Sequence, residues 1–125
     1  MSSVIRENGI LLVSIPVDHR FREEYSNGSV YGKPAGKNFF QRVYDHEHVV
    51  SLCEKFEDVL TLEKAVLVEW PQDRFFRCFW NIQNRFVRGL LGPIFPLMAP
   101  GFKIHSSQTI PPINAMGDLV LKFRK

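Results

Sequence analysis

Two cysteines in 125 residues, Cys53 and Cys78, are too few to staple a fold. They read as reduced thiols of an intracellular protein, Cys78 as an ordinary small helix residue. No long hydrophobic run is present either. The longest apolar stretch, Leu90 to Phe102, is interrupted by Pro93, Pro96 and Pro100 and is too short to span a bilayer, so no membrane partner is expected. Met1 to Gly9 lacks a basic segment followed by an apolar one, so no signal peptide is expected. Without a secretory route the sequon Asn27-Gly28-Ser29 is idle. These absences point to the cytosol or nucleus. A strong charge imbalance is missing too: 16 basic against 13 acidic residues leave +3. That is compatible with nucleic acid or an acidic partner and diagnostic of neither.

Reaction motifs are equally scarce. There is no His-Glu-x-x-His, no paired Cys-x-x-Cys and no Gly-x-Ser-x-Gly elbow. Gly32 to Gly36 lacks the Gly-Lys-Ser/Thr of a phosphate loop. Ser106 and Ser107 beside His105 do not make a nucleophile–base pair by themselves. The one titratable cluster is Asp45-His46-Glu47-His48. On a strand, His46 and His48 would share a side and could share a metal, with a third ligand from His19, His105 or a distant carboxylate. On a helix they diverge, and Asp45 and Glu47 simply suit the positive end of the helix dipole. The helix reading is preferred. No enzymatic activity, metal or cofactor is expected. An unrecognised hydrolase or metal-dependent enzyme using His46 and His48 is the third-ranked reading.

What the chain does have is phenylalanine, at 11 of 125, and one highly ordered segment. Residues 72–91 divide on a helical wheel at ~100° per residue. Arg74, Arg77, Asn81, Asn84, Arg85 and Arg88 share a narrow arc. Phe75, Phe79, Ile82, Phe86 and Leu90 share another, widened by Phe76, Trp80, Val87 and Leu91 to about half the cylinder. A surface helix needs an apolar stripe of only ~100°. The surplus predicts two buried contacts, one with the core and one with a partner. Phe75, Phe79, Phe86 and Leu90 are expected in the core. Phe76, Trp80, Val87 and Phe95 are expected to meet a second copy. Arg74, Arg77, Asn81, Arg85 and Arg88 would bind phosphate or an acidic protein, because guanidinium forks suit both. A merely solvated basic face is the bland alternative.

The rest reads as α+β in one small domain, 1–125. Ile10 to Ile15 is a strand ended by Pro16, and Phe39 to Tyr44 is a second. Residues 17–37 form a polar loop, with Ser29-Val30-Tyr31 as a possible short strand. Val49, Leu52, Phe56, Val59 and Leu60 repeat at helical spacing behind Asp45, which predicts a helix over about 46–60. Ala65 to Trp70 is a buried strand closed by Pro71. A second helix, about 73–91, is capped by Asp73 and stopped by Gly92-Pro93. Residues 92–101 are an apolar, proline-rich loop. Phe102-Lys103-Ile104 and Leu119 to Phe123 alternate as half-buried strands, joined by an extended Thr109 to Asn114. The sheet is antiparallel or mixed. Lys37-Asn38-Phe39-Phe40 carries the Phe-Phe pair of sliding-clamp peptides but lacks their preceding Gln, and is not a match.

Three regions, near the start, in the middle and at the end, resemble the replication enhancer proteins of plant geminiviruses, the middle one as a strand and the helix after it. Glu7-Asn8-Gly9-Ile10-Leu11-Leu12 resembles that family's Glu-Asn-Gly before a hydrophobic strand. Leu60-Thr61-Leu62-Glu63-Lys64-Ala65-Val66-Leu67 to Trp70 resembles its aliphatic strand ending in Trp. Arg74-Phe75-Phe76-Arg77-Cys78-Phe79 and Leu90-Leu91-Gly92-Pro93-Ile94 then resemble its basic aromatic helix. Leu121-Lys122-Phe123-Arg124-Lys125 resembles its closing strand, without the terminal aromatic. Residues 18–45 do not align, and the N-terminal extension is shorter. The resemblance implies a nuclear, non-enzymatic viral accessory factor. It would self-associate, contact the viral replication initiator and the host sliding clamp, and enhance viral DNA replication. The alternative is a small nucleic-acid-binding protein using the Arg/aromatic helix.

Overall fold

Strand β6 (Gly117–Arg124) shows how alternation builds the centre of this protein. Leu119, Leu121 and Phe123 point to one side and are buried, while Asp118, Val120, Lys122 and Arg124 point to the other and stay half-exposed. The computed structural model describes residues 5–28, 33–72, 78, 82, 84–94, 97 and 101–125. Within them β6 is flanked by β1 (Ile10–Val17) and β4 (Thr61–Glu69), both antiparallel to it. Strand β5 (Lys103–Ser107) pairs with β4, so the sheet order is β1-β6-β4-β5. Gly117 stands where the sheet leaves no room for a side chain. A Cβ there would sit 2.3 Å from the Val68 carbonyl oxygen.

Helix α1 (His46–Glu54) covers the buried side. Asp45 stands in extended backbone before it and accepts a hydrogen bond from the His48 backbone N–H at 3.0 Å, a standard N-cap. Val49 and Cys53, one turn apart, enter a core with Ile15, Val17, Ala65, Leu67, Leu119 and Leu121. The helix is shorter than the predicted 46–60. After Glu54 the chain tightens into turns, with Phe56 N–H on the Cys53 carbonyl (2.8 Å) and Leu60 N–H on the Phe56 carbonyl (2.7 Å). These turns reverse the chain and deliver Leu60 to the core where β4 begins.

The α+β class and the antiparallel pairing of the named strands are as expected. Strand β1 was expected to end at Pro16 but runs through it to Val17, since a proline without an N–H still takes its place opposite Asp118. Two further local expectations change. The polar stretch 17–37 contains a strand, β2 (Arg22–Ser26), paired with β3 (Asn38–Val43) as a separate hairpin. Its charges look like loop residues in the sequence, but they are satisfied across and along the ladder: Arg42 pairs with Glu23 (2.9 Å) and Arg22 with Glu24 (3.0 Å). The suggested strand at Ser29 to Tyr31 lies outside the described residues. Strand β5, expected to be half-buried, contributes nothing to the core, and Ile104 is 70% exposed. It is an edge strand, beyond the cover of α1.

The hairpin is fastened where β1 ends. Tyr44 N–H donates to the Pro16 carbonyl and Asp18 N–H to the Tyr44 carbonyl, both at 3.0 Å. The Phe21 ring stacks on His48 at 4.3 Å, and Phe21 N–H donates to the Asp45 carboxylate at 3.3 Å. One carboxylate therefore caps α1 and holds the foot of the hairpin. Burial opposes ionisation of the neighbouring Asp18, but hydrogen bonds from Arg22 and His19 outweigh it and hold its pKa below the usual value.

Candidate interaction surface

The 33 residues between β4 and β5, from Trp70 to Phe102, hold the segment singled out by its helical wheel. Trp70 opens it. Its indole N–H donates to the Asp118 carboxylate at 2.9 Å, tying the end of β4 to β6. Trp70, Ile82, Leu91 and Phe102 are partly buried in a second hydrophobic cluster, distinct from the main core. Helix α2 (Arg85–Leu91) follows, then a single 3-10 turn at Gly92–Ile94.

The expected continuous helix over 73–91 is not what the chain forms. Asn84 has extended backbone (φ −73°, ψ 113°), and its side-chain oxygen accepts from the N–H groups of Phe86 (3.0 Å) and Val87 (3.3 Å). A helix therefore starts at Arg85. Asparagine competes for backbone donors in this way, which favours it at N-caps over helix interiors. Asn84 thus leaves the polar arc, and Ile82 lies outside α2.

The predicted burial also changes. Phe86 is 86% and Leu90 78% exposed, although both were expected in the core. Leu91 faces inward instead, in the cluster with Trp70 and Phe102. Seven residues long, α2 leaves Phe86 and Leu90, the centre of its apolar arc, in solvent. Val87, expected to meet a partner, is exposed beside them, as is Leu97 further on. Exposed apolar side chains in such a group mark an interaction site more often than isolated ones do.

Of the residues proposed for phosphate or acidic partners, Arg88 is exposed in the last turn of α2, where a cation suits the helix dipole. Arg85 opens α2, but its side chain is outside the described set. Arg74, Arg77 and Asn81 lie outside the described residues, as do Phe75, Phe76, Phe79, Trp80 and Phe95.

Elsewhere the chemistry is quiet. His46 and His48 lie on the first turn of α1, as the helical reading required. His48 Nδ1 meets the Asp45 carboxylate at 2.6 Å. Among the described residues no three His, Cys, Asp or Glu side chains gather as a metal site. A cleft of about 390 Å³ opens beside the end of α1, floored by Leu60, Leu62, Ile110 and Phe123. Cys53 lines it, but burial, and then the nearby Glu57, push its thiol pKa up. A thiol so shifted is protonated at neutral pH and a poor nucleophile. Cys78 is exposed, and both cysteines are free. No family model, curated protein or solved structure matches this chain.

Proposed function

We propose that this protein is a non-enzymatic accessory factor that works by self-association and by docking on other proteins. The observation that carries this reading is the solvent-facing apolar surface of α2, with Phe86, Leu90 and Val87 on one short helix. Folding leaves this surface in water, where its burial by a second chain would be favourable at roughly 25 cal/mol per Å² of apolar area. Phe76, Trp80 and Phe95 are the further candidates for that contact on sequence grounds. The resemblance to geminivirus replication enhancers supplies the proposed partners, the viral replication initiator and the host sliding clamp, and the proposed setting, the host nucleus. The arginines of the same segment add positive charge that suits acidic partners.

Light scattering of the purified protein tests the reading. A discrete oligomer is expected at tens of micromolar, roughly the range of weak interfaces. The double variant Phe86→Glu/Leu90→Glu is expected to be a monomer with an unchanged circular dichroism spectrum. A wild-type protein that stays monomeric at that concentration overturns the proposal.

A further inference from the structure

The β2–β3 hairpin places cations beside exposed aromatic rings. From Asp18 to Arg42 there are five basic and three acidic side chains, and the carboxylates are paired with Arg22 and Arg42. The same hairpin displays aromatic rings: Tyr25 is 51% and Phe39 45% exposed. The bulge in register between Glu24 and Tyr25 sets Tyr25 directly opposite Phe39 across the ladder. Their rings meet edge to face, 5.9 Å apart at 83°. A cation hangs beside each ring, the Lys37 ammonium 5.4 Å from the Tyr25 centroid and the Arg42 guanidinium 5.7 Å from that of Phe39.

We infer that this face of the hairpin binds single-stranded nucleic acid, with bases stacking on Tyr25 and Phe39 and phosphates drawn to Lys37 and to Lys33 four residues before it. A nucleotide carries a flat π-face and an anionic group joined by one sugar. A ring with a cation next to it offers both complements at that spacing. Cation–π contacts at such exposed sites are weak, so the long Lys37 side chain swings readily from ring to phosphate. Arg42 is more firmly held, by Glu23 at 2.9 Å, and Tyr25 O–H donates to the same carboxylate at 3.0 Å. Those bonds orient the platform, and Glu23 and Arg42 offset each other's charge. Lys33 and Lys37 meet no carboxylate among the described residues, so their charge is available to a ligand. The exposed rings favour bases over an acidic protein surface, which would need the cations but not the stacking. Duplex DNA presents its bases already stacked and suits the platform less.

The test is fluorescence anisotropy with a labelled oligothymidylate, the same-length duplex, and heparin as a base-free polyanion competitor. Single-strand binding at low salt is expected, weakening as salt rises. Tyr25→Ala/Phe39→Ala should weaken it about tenfold or more. Lys33→Glu/Lys37→Glu should weaken it and flatten the salt dependence. Phe39→Trp should retain binding, and the indole emission it adds over wild type should be quenched by the oligonucleotide. The Phe86→Glu/Leu90→Glu variant should bind as wild type, so the inference stands apart from self-association. No binding at low salt overturns it. So does binding that survives loss of both rings in a folded variant, or heparin and duplex binding that equals the single strand. Those results would assign the hairpin to an acidic protein partner or to no ligand. Emission from the Phe39→Trp variant that does not respond to the oligonucleotide also overturns it.

Discussion

Helices α1 and α2 begin alike and end in opposite environments. Each starts at a capping side chain that accepts backbone N–H groups, Asp45 for one and Asn84 for the other. Each carries apolar residues one turn apart. In α1 that pair is Val49 and Cys53, and both are buried against the sheet. In α2 it is Phe86 and Leu90, and both face solvent. The larger, more hydrophobic pair is the one left outside. Local sequence therefore sets where a helix starts and which side chains share a face. Which face is covered depends on what the rest of the chain lays beside it. For α1 that is β1, β4 and β6, while α2 sits in a long connection with Leu91 as its inward contact.

The sharpest way to break this comparison is to truncate one apolar residue on each side. Leu121→Ala removes a fully buried side chain from the core under α1 and should cost about 2–5 kcal/mol of stability. Leu90→Ala should stay within about 0.5 kcal/mol in the monomer, as exposed substitutions do. Equal losses in denaturant titrations would mean that α2 is packed after all.

A smaller contrast lies in the caps. Asp45→Ala removes the acceptor for His48 N–H, the side-chain hydrogen bond with the His48 ring and the bond to Phe21 N–H. It should lower the melting temperature by several degrees, because α1 and the hairpin both lean on the core. Asn84→Ala should fray α2 alone, visible as faster amide exchange at Phe86 and Val87 with little change in global melting. A global loss from Asn84→Ala that matches Asp45→Ala would merge the two regions into one cooperative unit.

The smallest effect is electrostatic and sits on the side of the sheet away from α1. Glu63 accepts from Arg124 and pairs with Lys122 at 2.7 Å. These two contacts, Arg124 first, bring its pKa from 4.5 down to about 2. A carboxylate depressed on folding stabilises the native state above its unfolded pKa and stops doing so as pH falls through its folded one. Glu63→Gln should therefore melt slightly below wild type at pH 7. The gap should close between about pH 4.5 and pH 2. A gap that persists unchanged at pH 2 would mean that the ion pairs are not its source. High salt should narrow it at neutral pH, since these groups are at the surface.

Much of the frame was legible before any coordinates. Ile10 to Ile15, Ala65 to Glu69 and Leu119 to Phe123 announce strands by β-rich composition or strict alternation, and all three are strands of the central sheet. Asp45 announces the start of α1 by its capping chemistry. The hairpin strand β2 was harder to see, because Arg22, Glu23 and Glu24 lack an apolar signal and are stabilised by partners on the neighbouring strand. The break at Asn84 was hidden by a continuous wheel pattern. Periodicity is blind to a side chain that takes the backbone's donors for itself.

By itself the sequence determined the class of the fold, the starts of β1 and α1, and the apolar character of the segment that holds residues 85–91. Only the tertiary structure decided how that arc is divided, turning Leu91 inward and Phe86 and Leu90 out. It alone brought Tyr25 and Phe39 together from the two strands of a hairpin, and set Lys37 and Arg42 beside their rings. The physical reason is one of range. Capping and alternation act over a few residues along the chain. Burial and ring pairing depend on neighbours that are distant in sequence and become adjacent only when the chain has folded.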